Sequence, residues 1–164
     1  MIKQDYKSFD EVKAIALFDF VCKNTNKVDL KEGYFEMPKD FLKYLSENKG
    51  GSCGIHSMVF KLLCNKAGLK ARRIIIKNKD TNFSHKVTEI FYDNRWHMYD
   101  PDLKIRFDES LKELLKKPDL LKMKYKKTTH PSYVNLYLSD NEVYYLRDTR
   151  IGSYIQKFKK IFLK

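Results

Sequence analysis

Cysteine, proline and glycine are scarce in this chain of 164 residues, at three, four and six respectively. So little glycine and proline excludes collagen-like, mucin-like and low-complexity architectures. Three cysteines, an odd number spread over positions 22, 53 and 64, make no disulfide framework, and the expectation is a reduced, cytoplasmic protein. Long apolar runs are missing as well. None approaches the roughly 18 residues that a membrane-spanning helix requires. The opening Met1-Ile2-Lys3-Gln4-Asp5-Tyr6-Lys7 has no apolar stretch of signal-peptide length, so the reading is of a chain neither secreted by that route nor spanning a membrane.

Aromatic residues are plentiful, with 11 Tyr, 11 Phe and one Trp. That composition excludes disorder over most of the chain, and the length suits one domain with a real core. Thirty-three Lys and Arg against 21 Asp and Glu leave a formal charge of +12. Residues 1–50 hold 9 basic and 9 acidic groups, residues 51–100 hold 9 and 4, and residues 101–164 hold 15 and 8. Such an excess suits a nucleic acid, an anionic membrane or glycan, or solubility alone, and by itself chooses none of them.

Periodicity divides the chain into helices followed by strands. Ser8-Phe9-Asp10-Glu11 fits a capping box that opens a helix running to about Lys23. Pro38, Phe41, Leu42 and Leu45 suggest a short helix ending near Asn48. After Gly50-Gly51, a helix from about Cys53 to Lys66 is apolar almost all round, as a central helix would be, and Gly68 is its natural stop. Arg72 to Ile76 reads as a strand. His85 to Tyr92 and Arg95 to Asp100 read as two strands joined by the tight-turn pair Asp93-Asn94. Asp108 to Lys117 predicts an amphipathic helix halted by Pro118. A second hairpin is expected from Tyr133–Leu138 and Glu142–Arg147, and a helical pattern returns over Tyr154 to Lys164. The expected fold is α+β, a single domain over 1–164 with a buried Cys-bearing helix packed on an antiparallel sheet.

The chemistry concentrates at Gly50-Gly51-Ser52-Cys53. A cysteine opening a helix lies beside unpaired N–H groups and the positive end of the helix dipole, and both favour the nucleophilic thiolate. Those N–H groups can also receive the oxyanion of a tetrahedral intermediate, while the glycines permit close approach of a substrate. Such a nucleophile needs a base, and the base an orienting partner. A two-residue turn at Asp93-Asn94 places Asp100 opposite Val87, with His85 two residues before Val87 on the same face. His85 and Asp100 are then diagonal neighbours about 7–8 Å apart at the backbone, within reach of a side-chain hydrogen bond. Strand and turn periodicity do not say whether this face meets Cys53.

Four blocks together supply that link. Gly51-Ser52-Cys53, then Ala67-Gly68-Leu69-Lys70-Ala71-Arg72, then His85-Lys86-Val87-Thr88-Glu89-Ile90, then Trp96-His97-Met98-Tyr99-Asp100-Pro101 resemble the transglutaminase-like superfamily over roughly residues 38–101. The resemblance implies a papain-like fold and thiol site with Cys53 as nucleophile, His85 as base and Asp100 as orienter. It implies hydrolysis or exchange of amide bonds, as in proteases, peptide amidases and glutamine cross-linkers, with no metal or organic cofactor. A cysteine hydrolase acting on a peptide or protein amide is the reading preferred here. The alternatives are a protein-glutamine transglutaminase, or a non-catalytic binding module for an acidic partner or membrane surface. Val87 stands where the family commonly has Trp, a position expected beside the nucleophile. Before Cys53 only Asn48 and Tyr44 are candidates for a side-chain oxyanion donor.

The remaining polar residues have plainer readings. Cys22 and Cys64 fall on apolar helical faces and read as core thiols. His56, three residues after Cys53, could form a zinc set with His85 and His97, but a second tight ligand pair is lacking. His97 is expected to point away from Asp100, Trp96 to sit in the core, and Glu89 to pair with a base such as Arg72. Asn82-Phe83-Ser84 matches a glycosylation sequon that has no meaning without secretion. Lys122-Met123-Lys124-Tyr125-Lys126-Lys127 reads as a solvated basic strand or loop, and no nucleic-acid partner is expected. The basic stretch 152–164 suits a helix docked on the domain, the preferred reading, and also a helix lying on an anionic membrane, so a peripheral membrane or glycan contact stays open.

Overall fold

Ser8 opens the first helix by accepting a hydrogen bond from the Glu11 amide at 3.1 Å, half of the expected capping box. The structure is a computed structural model that describes residues 8–27, 50–81, 83–125, 136 and 141–146. Helix α1 spans Phe9–Asn24 and buries Ala14, Phe18 and Val21. A two-residue strand β1 (Asn26–Lys27) follows and pairs in parallel with β2 (Gly50–Gly51). This pairing ties the residues just before Cys53 to the end of α1.

Helix α2 spans Cys53–Lys66. The Gly68 amide bonds the Asn65 carbonyl at 3.1 Å and the Leu69 amide bonds that of Cys64 at 2.9 Å, while Gly68 itself takes φ +81°. Those two bonds form a Schellman stop, and a residue with a Cβ would be strained at Gly68. Strands β3 (Lys70–Asn78), β4 (Ser84–Tyr92), β5 (Arg95–Asp100) and β6 (Ile105–Arg106) come next. Helices α3 (Leu111–Leu114) and α4 (Pro118–Tyr125) and strand β7 (Asn141–Leu146) complete the described elements. The sheet is antiparallel in the order β6-β5-β4-β3-β7.

Asp93 and Asn94 both adopt positive φ, 49° and 59°, as a two-residue hairpin turn matching the strand twist demands. Thr88 pairs with Tyr99 and Phe91 with Trp96, so the register puts Asp100 level with Val87, as the turn predicts. Alternation then sorts the side chains onto two faces. On one face Ala71, Ile90, Tyr92 and Tyr99 pack with Phe18 and Val21 of α1 and Val59, Phe60 and Cys64 of α2. Phe18, Phe60 and Tyr99 meet pairwise at ring distances of 5.3–5.7 Å. On the other face Ile74, Ile76, Val87 and Met98 pack with Phe107, Leu111, Leu114, Leu121, Tyr125 and Leu136. This second core is built by chain that follows the last motif block.

Three expectations change. Pro118 does not merely halt a helix: α3 is a single turn capped by Ser110, and Pro118 starts α4, where its missing N–H costs nothing. Lys122 to Tyr125 is accordingly helical, not strand or loop; Lys126 and Lys127 lie outside the described residues. Of the second hairpin, Leu136 is helical where a strand was expected, and β7 instead pairs with β3 at the sheet edge. The candidate helix ending near Asn48 and the stretch 152–164 lie outside the described residues. Among the described residues no helix is long and apolar enough to cross a membrane.

Candidate active site

Cys53 is the first residue of α2, half-buried, with Ser52 as N-cap. The Ser52 carbonyl already accepts from the Ile55 and His56 amides at 2.9 and 3.0 Å, while its side chain makes no cap bond. The first amides of a helix have no acceptor within it, so those of Cys53 and Gly54 are the natural donors to a developing oxyanion. Neither expected side-chain donor, Asn48 or Tyr44, is among the described residues.

His85 stands near the start of β4, fully buried, and its ring couples electrostatically to the neighbouring Cys53 thiol. Its Nε2 bonds Asp100 Oδ2 at 2.6 Å. Asp100, also fully buried, closes β5. Its Oδ2 accepts a second bond from the Tyr125 hydroxyl at 2.9 Å, and its Oδ1 accepts the Leu103 amide at 3.2 Å. A buried carboxylate with so many donors keeps one orientation, and that orientation holds the imidazole. Tyr125 went unnoticed in the sequence because it is 25 residues from Asp100 with no motif between them.

Electrostatics follow from these contacts. Burial alone pushes the Cys53 thiol up. The hydrogen bond and charge of His85, then the Lys86 ammonium, outweigh it, Asp102 opposes them, and the net value falls below the ordinary 9.0. Burial pulls the His85 imidazolium down, but the charge and hydrogen bond of Asp100, followed by the Cys53 contacts, raise it well above 6.5. A lowered thiol beside a raised imidazole favours the thiolate–imidazolium pair.

Arg73 on β3 braces the first turn of α2. It is buried and donates through Nη2 to the Gly54 carbonyl at 2.9 Å and through Nε to Ser57 Oγ at 3.2 Å. Burial lowers its pKa to about 10, with the Cys53 charge acting the other way. Nearby, His56 Nδ1 bonds Asp102 Oδ1 at 2.9 Å, both side chains being almost wholly buried. His56 is therefore committed to a carboxylate one turn along from Cys53. Among the described residues no group of three or more His, Cys, Asp or Glu could hold a metal ion.

The other candidates settle as follows. Burial drives Cys22 to about 12 and Cys64 still higher, as core thiols require. His97 stacks on Tyr92 with ring centroids 3.6 Å apart and bonds the Tyr92 carbonyl at 3.2 Å, remote from Asp100. Glu89 pairs with Arg72, at 2.7 Å to Nε and 2.6 Å to Nη2, and also accepts the Leu111 amide at 2.7 Å. Trp96 is not core: it is half-buried and stacks under Arg72, whose guanidinium carbon is 3.9 Å from the ring centre. Val87 belongs to the second core cluster, where its small volume suits Ile74, Met98 and their neighbours.

Comparison with known proteins bears on this arrangement. Residues 2–101 match the model of the transglutaminase-like superfamily, ending just after Asp100. No curated protein sequence matches the chain. A solved structure from Cytophaga hutchinsonii, described as that of a proposed cysteine protease, is similar at 14% identity with a TM-score of 0.46. The similarity covers 62% of this chain and 34% of that one, so the chain spans about a third of that structure's length.

Proposed function

Since the chain belongs to the transglutaminase-like superfamily of thiol enzymes, we propose that it cleaves an amide bond through Cys53, His85 and Asp100. The observation that carries this reading is the buried His85–Asp100 hydrogen bond beside the Cys53 thiol that opens α2, with Asp100 held in turn by Tyr125 and the Leu103 amide. The Cys53 thiolate attacks the amide carbonyl carbon, whose oxygen takes up the negative charge against the first amides of α2. As the carbon–nitrogen bond breaks, His85 delivers its proton to the departing amine and the acyl group remains on sulfur. Neutral His85 then takes a proton from water, the hydroxide attacks the thioester, and Cys53 leaves as thiolate. Asp100 stays ionised throughout and holds the ring in place.

Alkylation by iodoacetamide at pH 6, read residue by residue by mass spectrometry, tests the activated nucleophile. Cys53 should react far faster than Cys22 and Cys64; equal rates would refute it and leave a non-catalytic binding module. The acceptor is tested with a glutamine peptide and a labelled amine. Ammonia released without incorporation supports hydrolysis, and incorporation would mean a transglutaminase.

A further inference from the structure

Lys86 follows the proposed base in β4, and alternation turns it to the opposite face of the sheet, towards α2. There its half-buried side chain reaches the first turn of the helix. A point one bond from Gly54 Cα, where any other residue would carry its Cβ, lies 3.4 Å from Lys86 Nζ and 3.4 Å from Ser52 Oγ. The ammonium and hydroxyl thus converge on one bare patch of backbone beside the nucleophile. Among the described residues neither tip has a hydrogen-bond or carboxylate partner, and both residues are half-buried and reachable.

The surrounding charges are already matched or are positive. Asp102 is bound to His56, and Asp100 to His85 and Tyr125. Arg73, the other cation at this turn, is occupied by the Gly54 carbonyl and Ser57. Lys86 is the cation at this turn with no acceptor among the described residues. An ammonium and a hydroxyl that both reach the same point suit a carboxylate, one oxygen to each.

We propose that Ser52 and Lys86 form a carboxylate subsite, so that the preferred acyl donor is an amide bearing a carboxylate next to the scissile carbonyl. This rests on Cys53 being the nucleophile. It adds a substrate class, acidic peptides or amides, that the motif residues do not specify.

Two alkylating reagents differing only in charge test it on the full chain. Dividing the iodoacetate rate at Cys53 by the iodoacetamide rate cancels the thiolate fraction and leaves preference for the carboxylate. At low salt the ratio should exceed that of glutathione by about fivefold, the scale of one partly screened ion pair. Lys86→Met should lower the ratio several-fold towards the glutathione value, Lys86→Arg should keep it, and Ser52→Ala should lower it in part. A wild-type ratio equal to that of glutathione overturns the proposal. So does a Lys86→Met variant in which both reagents slow equally, since Lys86 would then serve the thiolate alone. Failure of the thiol-enzyme reading looks different: the iodoacetamide rate at Cys53 would be no faster than at Cys22 and Cys64, whatever the ratio.

Discussion

Replacing Asp100 by Asn tests how the buried carboxylate governs the Cys53 thiol two groups away. The change is nearly isosteric: with the Asn oxygen at the Oδ1 position the Leu103 amide keeps its acceptor, while the NH2 at the Oδ2 position can donate to the Tyr125 hydroxyl oxygen. What is lost is a full negative charge 2.6 Å from His85 Nε2 in a site closed to water. An opposite charge at that range raises a base by about 1–3 pH units, so the imidazolium loses about that much. The thiolate–imidazolium pair forms by proton transfer from Cys53 to His85, so each unit lost by the imidazole makes the pair about tenfold scarcer. The midpoint of Cys53 alkylation against pH should therefore move up towards the ordinary thiol value of 9.0. The assay is the iodoacetamide rate from about pH 4 to pH 10, read at each cysteine. Cys64, which is buried, and Cys22, which is half-buried with a raised pKa, report on the fold, because both should stay slow unless Asp100→Asn opens the core. A midpoint unchanged in a folded variant would refute the claim that Asp100 sets the state of the pair.

Tyr125→Phe deletes one charge-assisted hydrogen bond to Asp100 and should cost about 1.5–3 kcal/mol of stability, measured by urea unfolding. It should also lower the Cys53 alkylation rate at pH 6 through a less tightly held His85. Val87→Trp, which restores the common family residue, should destabilise by about 1–3 kcal/mol or more, since Val87 is fully buried among large side chains; an unchanged melting temperature would count against that packing. The thiol–imidazole pair also predicts a pH dependence of stability. His85 is raised in the fold, so its contribution is complete below 6.5 and declines as pH rises through the folded value. Cys53 is lowered, so its contribution is complete above 9.0 and declines as pH falls through the folded value. Where the two windows overlap, between 6.5 and 9.0, the slopes oppose each other. The urea midpoint of the wild type relative to the Cys53→Ala/His85→Gln double variant should therefore show no fall with rising pH below 6.5 and no rise above 9.0; either limb would refute the directions of the two shifts.

The candidate site was legible in the chain wherever local rules decide structure. Cys53 opens its helix because two glycines precede it and apolar residues follow without interruption. His85 and Asp100 meet because Asp93 and Asn94 tolerate positive φ, which makes the turn two residues long and sets the register of every pair above it. The ion pair of Glu89 with Arg72 follows from the same kind of cross-strand logic, since those residues are direct partners in β3 and β4. At Pro118 the sequence is ambiguous, because a proline ends one helix and begins another equally well and local sequence does not say which. Hydrophobicity alone puts Trp96 in the core, whereas its broad face is covered by Arg72 and Lys70.

By itself, then, the sequence determined the α+β class, the helix start at Cys53, the hairpin register and the face shared by His85 and Asp100. Each depends on contacts a few residues apart or on one turn. Only the tertiary structure decided that Tyr125 holds Asp100, that His56 is committed to Asp102, and that Lys86 and Ser52 converge over Gly54. Those contacts join residues from 25 to 46 positions apart, or opposite sides of a helix–sheet seam, and they depend on how α2 and α4 settle against the sheet. No periodicity records that docking, because it is fixed by the volumes of two separate cores rather than by the spacing of any one segment.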